Sequence, residues 1–161
     1  MTNVLRAAWL IARKDFHIES RSRELVYTAL FFAVSCILIF SFAFVREGEA
    51  IDNSAAGILW VAIAFSGTLA LGRTFERERQ AETLRALLLA PVERSAVYLG
   101  KFLGVLSLLI GIEVVLVPLV AFLFNAPLER APGLLLALLA SGTVGFVAVG
   151  TLFAAMLGRA E

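Results

Sequence analysis

The composition of the chain excludes an ordinary soluble domain. Hydrophobic residues occupy 60% of its 161 positions and charged residues 17%, whereas a soluble domain is about 45–50% apolar and about 25% charged. Nucleic-acid binding has no support either, because the net charge is +1 and no basic patch is interleaved with aromatic residues. The mean hydropathy of +0.90 instead predicts an integral membrane protein.

The amino-terminal segment, residues 1–24, has the pattern of an amphipathic helix. Its apolar residues recur at helical spacing, and basic residues occupy a neighbouring sector. The apolar stripe is Leu5, Trp9, Ala12 and Phe16, and the basic sector is Arg6, Arg13 and His17. Such a helix is typical of the membrane interface. A cytoplasmic extension of the first span fits the same residues, and the pattern leaves both interpretations open.

Residues 25–161 are predicted to form one transmembrane domain. Each of its long apolar runs has about the length that crosses a hydrocarbon core of about 30 Å as a helix. The predicted spans are residues 25–45, 55–72, 102–124 and 134–157. The predicted fold class is therefore an all-α membrane protein with four transmembrane helices. An interfacial amino-terminal helix and a cytoplasmic amphipathic helix between spans two and three complete it.

The distribution of Lys and Arg predicts the orientation. Basic residues are frequent in the amino-terminal segment and in residues 73–101, whereas the two short loops carry only Arg46 and Arg130. Cytoplasmic segments carry the excess of Lys and Arg. The amino terminus, residues 73–101 and the carboxyl terminus are therefore predicted to be cytoplasmic.

Residues 73–101 are predicted to dock a soluble partner. Helix-forming residues dominate up to Ala90, where Pro91 disfavours further helix. The predicted apolar face holds Leu84, Leu87 and Leu88, and the opposite face holds Glu82 and Arg85. Glutamates alternate with arginines along the segment, which favours a protein partner over anionic lipid. A helix lying on the lipid surface is the alternative.

The sequence offers no active site. It has one histidine and one cysteine, and no set of metal ligands at the spacing of a known metal site. Gly100-Lys101 lacks the earlier glycine of a phosphate loop and is followed by Phe102, where such a loop has Ser or Thr. We therefore expect no catalysis and no directly bound cofactor, and ATP would act through another subunit.

Glu113 is the one acidic residue predicted within a span. A carboxylate at that depth costs about 2.5–3.5 kcal/mol on insertion scales and usually faces a protein interior or a wet cavity. It is either a functional group or a protonated acid bonded to a neighbouring helix. Candidate partners for that bond are Ser141, Thr143 and Thr151.

Several polar blocks resemble a known family, the B-type permease subunit of the haem exporter. This exporter belongs to the cytochrome c maturation machinery, and its permease to the ABC-2 class of transporter membrane subunits. The matching blocks are Lys14-Asp15, residues 21–24, residues 57–62, residues 75–78 and residues 82–91. The last two blocks are the most specific, because polar residues in a fixed order are rare in membrane proteins.

The resemblance implies a multi-pass protein of the bacterial inner membrane that docks a separate ABC ATPase. Further implied partners are a haem-handling membrane subunit, a small membrane subunit, a periplasmic haem chaperone and a second copy of the permease. Haem would be a handled substrate. Carried onto this chain, the ATPase-docking helix contains Phe75, Glu76, Arg77, Glu82, Leu84, Arg85, Leu87, Leu88 and Pro91.

Two departures accompany the resemblance. The family usually has six spans, whereas this sequence contains four, so the other pair is truncated or lies in a region beyond it. The only histidine is His17, on the predicted cytoplasmic side, so haem ligation across the membrane would need another subunit. Alternatives are an ABC-2 exporter of lipid, polysaccharide or drug, a proton-coupled carrier centred on Glu113, and a structural membrane scaffold.

Overall fold

The computed structural model describes residues 2–22, 24–44, 51–80, 94–125 and 131–157, and within these ranges it contains five α-helices and no strand. The helices are α1 (Thr2–Ser22), α2 (Glu24–Phe44), α3 (Ile51–Gln80), α4 (Arg94–Phe124) and α5 (Pro132–Leu157).

Four of the helices are long and apolar enough to cross a membrane, which confirms the predicted all-α class with four spans. The candidate spans are Glu24–Ala43, Ser54–Arg73, Ser95–Phe124 and Pro132–Met156. One span boundary differs from the prediction. The third candidate span begins at Ser95, ahead of the predicted start at residue 102. Helix α3 continues beyond the second span to Gln80.

Hydroxyl groups on the outer surfaces of the spans bond to their own helix. Thr28, Ser35 and Thr68 each donate to the carbonyl oxygen four residues earlier, at 2.7–2.8 Å. A polar group in lipid has no water to bond, so it must be satisfied inside the protein. These bonds allow the residues to face hydrocarbon.

Helices α2 and α3 pack through small residues, which on α3 are Ala62, Ser66 and Ala70. All three are fully buried, and Ala29 and Ala33 are buried on α2. The Ser66 hydroxyl donates to the Ala62 carbonyl at 2.7 Å and lies 3.4 Å from the Ala29 carbonyl oxygen. Close approach of backbones stabilises helix pairs in lipid, where the hydrophobic effect between helices is absent.

Helices α3 and α5 pack by placing large side chains against glycines. A Cβ added to Gly142 would overlap the Trp60 ring, and one added to Gly150 would overlap Leu71 of α3. The arrangement is reversed at Gly67 of α3, which Phe146 of α5 covers. The two helices therefore interlock along their length.

Helix α4 is the central element of the bundle. Its buried residues Val105, Leu109, Ile112, Leu116 and Val120 belong to the hydrophobic core shared with α2, α3 and α5. The helix passes through Pro118 without ending and stops at Phe124. Asn125 follows with a φ of 47°, a left-handed conformation that asparagine adopts readily after a helix.

Candidate functional site

The beginnings of α2 and α4 and the end of the α3 span lie at the same end of the bundle, which is called here the α1 end. Arg73 of α3 forms an ion pair with Glu24 of α2, with 3.6 Å between Nη1 and Oε1. Both side chains are exposed, so the pair contributes at most about 1 kcal/mol. It nevertheless shows that the α3 span ends at the level where α2 begins.

The predicted docking segment starts as a direct continuation of α3. Phe75, Glu76 and Arg77 lie in the last turns of this helix, and the Glu76 side chain is exposed. Residues 74–80 extend about 10 Å beyond the end of the span, at about 1.5 Å per residue. The remaining predicted docking residues, Glu82, Leu84, Arg85, Leu87, Leu88 and Pro91, lie outside the described residues, so the docking face stays a prediction.

Helix α1 packs against the beginning of α4. Ala8 and Ala12 of α1 are buried, at 2% and 7% exposure. A Cβ added to Gly100 would lie 2.7 Å from the Ile11 Cβ atom and 3.1 Å from the Ala8 carbonyl oxygen. The absence of a side chain at Gly100 therefore permits this contact. The next residue, Lys101, is also buried, at 3% exposure.

The same part of α4 is attached to α5. The Tyr98 hydroxyl donates to the Ala148 carbonyl at 2.9 Å, and its ring stacks on Phe102 with 6.5 Å between centroids. A half-buried tyrosine among apolar side chains usually finds such a partner for its hydroxyl. The first turns of α4 therefore contact α1 on one side and α5 on another.

In the middle of the bundle, a hydrogen bond joins α4 and α5 at the buried Glu113. The Thr143 hydroxyl donates to its Oε1 atom, and both residues are buried. Of the three predicted partners, Thr143 is the one observed. Ser141 instead donates to the Leu138 carbonyl. Thr151 is buried, and its hydroxyl has no hydrogen-bond partner within the part of the chain that the structure describes.

A cavity of about 160 Å³ lies at the end of the bundle opposite α1, between α3, α4 and α5. Its wall is apolar and includes Ala55, Leu59, Trp60, Val120 and Leu139. None of the lining side chains is an imidazole, thiol, thioether or carboxylate. The cavity therefore suits hydrocarbon and offers no side chain that ligates iron. Among the described residues, no group of three His, Cys, Asp or Glu side chains could hold a metal ion.

Several structurally important residues have no distinctive signal in the sequence. Gly100 and Lys101 do not form a phosphate-loop motif, and the contact of Gly100 with α1 can be predicted only when the path of α1 relative to α4 is known. Tyr98 is one aromatic residue among many in an apolar helix. The contact between Trp60 and Gly142 depends on the relative rotation of α3 and α5. Residue spacing within a single helix gives no information about that rotation.

The chain matches a known family over nearly its whole length. The model of the family described as CcmB protein matches residues 6–158. The chain is similar to heme exporter protein B of Escherichia coli K12, with 31% identity over 96 residues that cover 60% of this chain and 44% of the relative. It is also similar to heme exporter protein B of Pseudomonas aeruginosa, with 30% identity over 140 residues, which cover 86% of this chain and 61% of the relative.

The chain thus spans less than two thirds of the length of these relatives. No solved structure matches it significantly. The family match includes all four spans, the buried Glu113 and the whole predicted docking segment. The chain therefore belongs to the CcmB protein family.

Proposed function

We propose that the chain is the membrane permease subunit of an ABC transporter for cytochrome c-type biogenesis. In this function it couples ATP hydrolysis by a separate ATPase to haem delivery or to release of a haem-loaded chaperone. The subunit itself is not catalytic. The family match over residues 6–158 is the observation that carries the proposal, and the relatives named heme exporter protein B supply the substrate class.

The continuity of α3 supports a coupling function. One helix contains both the second candidate span and the first residues of the predicted docking segment, from Ile51 to Gln80. A force that reaches Gln80 would act on the span through continuous helix. Residues 81–93 connect α3 to α4, so a partner bound there would act on two spans together.

In the proposed complex, this chain supplies no ligand to the haem iron. The chain's single histidine, His17, is exposed on α1, and the apolar cavity offers no iron ligand. Haem-ligating residues would come from the haem-handling membrane subunit or the periplasmic chaperone. The small membrane subunit and a second permease copy complete the proposed assembly, which lies in the bacterial inner membrane with the α1 end cytoplasmic.

Replacing Leu84 and Leu88 together with aspartate is expected to detach the ATPase. Two charges on the predicted apolar face would require desolvation at the partner's surface, which costs several kcal/mol for unpaired groups. The measurement is co-purification of the ATPase with the tagged permease in mild detergent. We expect at least about a tenfold loss, equivalent to about 1.4 kcal/mol, while membrane insertion is unchanged.

The matched control is Ala86→Asp, which adds a charge on the opposite face of the predicted helix. It should retain the ATPase at the wild-type level. Unchanged co-purification after both leucine substitutions would disprove docking through this face. Equal loss with Ala86→Asp would show that the segment does not bind as a one-sided helix.

A second candidate function is a proton-coupled carrier, which the buried Glu113 favours. Its hydrogen bond with Thr143 joins two spans near the middle of the bundle, where a proton-binding group of a carrier would lie. The same bond also serves a purely structural function by joining α4 to α5. The two interpretations differ in whether the acid must exchange its proton.

Glu113→Gln separates these interpretations. Glutamine keeps a carbonyl oxygen that accepts from Thr143 but has no exchangeable acid proton. For the ABC permease we expect haem-dependent cytochrome c assembly within about twofold of wild type, because the interhelical bond, worth about 0.6 kcal/mol on average in membranes, is retained. Abolished assembly, with normal amounts of protein in the membrane and normal ATPase co-purification, would favour the carrier.

A further inference from the structure

The exposed face of α1 combines apolar and basic side chains. Leu5 and Trp9 are each 64% exposed and Leu10 is 55% exposed, and Arg6 and Arg13 are exposed beside them. With about 100° per residue, Arg6 and Arg13 lie about 20° apart around the helix, and Trp9 and Leu5 lie between them and the buried face. Moving around α1, the buried alanines are followed by apolar residues and then by arginines.

The position of α1 along α4 places this face at the level of the membrane surface. Helix α1 contacts Gly100, near the beginning of the candidate span Ser95–Phe124. Five residues of helix correspond to about 7.5 Å, which is within the depth of the polar headgroup region. An exposed tryptophan at this depth is typical of the interface, where its ring lies among headgroups.

The charges on this face distinguish it from the docking segment. Among the α1 side chains that the structure describes, every exposed charged residue is basic, including both arginines. In residues 73–93, by contrast, Glu and Arg alternate. Exposed basic side chains beside apolar ones complement an anionic bilayer surface, whereas mixed charges complement a protein.

We propose that the exposed face of α1 binds anionic phospholipid headgroups. Arg6 and Arg13 contact the lipid phosphates, and Leu5 and Trp9 insert among the upper parts of the acyl chains. Because Ala8 and Ala12 hold α1 against α4, lipid binding also fixes the beginning of α4 relative to the membrane surface. This inference does not depend on the transported substrate.

The test uses the full chain in nanodiscs of phosphatidylcholine containing about 30% phosphatidylglycerol, which gives the bilayer a negative surface potential. The chain has two tryptophans, so Trp60→Phe leaves Trp9 as the only tryptophan fluorophore. Bromine atoms on the acyl chains of one lipid class at a time quench a nearby indole. Quenching by brominated phosphatidylglycerol, compared with quenching by brominated phosphatidylcholine, reports which lipid class surrounds Trp9.

We expect brominated phosphatidylglycerol to be enriched around Trp9 about fivefold or more, since a basic residue at an anionic surface contributes about 1 kcal/mol. Arg6→Gln with Arg13→Gln should bring the ratio close to that of the bulk lipid. Arg6→Lys with Arg13→Lys should retain most of the enrichment. The matched control is Arg46→Gln with Arg130→Gln, which removes the same charge from the loops predicted on the opposite side and should leave the ratio unchanged.

Equal quenching by the two lipids, or a preference that survives the double glutamine substitution, would overturn the proposal. Absence of quenching by either lipid would also overturn it, because α1 would then be covered by protein. All variants are first compared by thermal unfolding. If Trp60→Phe unfolds early, the enrichment is measured instead with spin-labelled lipids and wild-type tryptophans, and the arginine substitutions give the same two outcomes.

Discussion

Replacing Gly100 with alanine is expected to loosen α1 from α4. The new methyl group would lie 2.7 Å from the Ile11 Cβ atom and 3.1 Å from the Ala8 carbonyl oxygen. Both atoms belong to or adjoin the α1 backbone, so the whole helix must move to relieve the overlap. Overpacking of this kind costs about 1–3 kcal/mol.

The measurement is amide hydrogen exchange in detergent. Residues 2–22 should exchange roughly tenfold faster, because about 1.4 kcal/mol corresponds to tenfold in an equilibrium constant, while α2 exchanges as in the wild type. The control is Gly111→Ala on the same helix, where an added Cβ meets nothing within 4 Å. Unchanged exchange in α1 after Gly100→Ala would show that the contact with α4 does not hold α1 in place.

Replacing Gly142 with leucine is expected to destabilise the bundle. Even a Cβ atom at this position overlaps the Trp60 ring, and the rest of the leucine side chain would push α3 and α5 apart. We expect the free energy of unfolding to fall by about 1–3 kcal/mol or more, measured as a lower unfolding midpoint in detergent. The cavity beside Trp60 gives the ring some room to move, so alanine should have a smaller effect than leucine.

Gly145→Leu is the matched control, because Gly145 lies three residues further along α5 and an added Cβ there meets nothing within 4 Å. It should unfold at the wild-type midpoint. Trp60→Leu combined with Gly142→Leu should recover part of the loss, since it removes the ring that collides. No recovery would indicate that Gly142 is required for a reason other than its contact with Trp60.

The number of spans follows from the sequence because crossing lipid demands a long run of residues without charge. The ends of the spans are less well determined by the same signal. Lys101 suggested that the third helix starts after it, yet α4 begins at Arg94 and Lys101 is buried within it. Hydropathy treats each residue as if it faced lipid, whereas α1 covers this part of α4.

The buried acid illustrates the same limit in another way. The position of Glu113 within a span predicts that its side chain needs a polar partner, and the last helix contains three candidate hydroxyl residues. Choosing Thr143 among them requires the rotation and height of α5 relative to α4, which arise from contacts such as that between Trp60 and Gly142. The sequence therefore predicts the kind of side chains that meet at such a site, whereas the particular pair depends on how the helices pack.

The uninterrupted length of α3 has a mechanical consequence. Its 30 residues correspond to a rod of about 45 Å, with the apolar cavity beside its first turns and Gln80 at its other end. A rod of that length that tilts by about 10° displaces one end relative to the other by about 8 Å. Because α3 is one unbroken helix without proline, a rotation imposed near Gln80 is transmitted along it toward the cavity at Ala55 and Trp60.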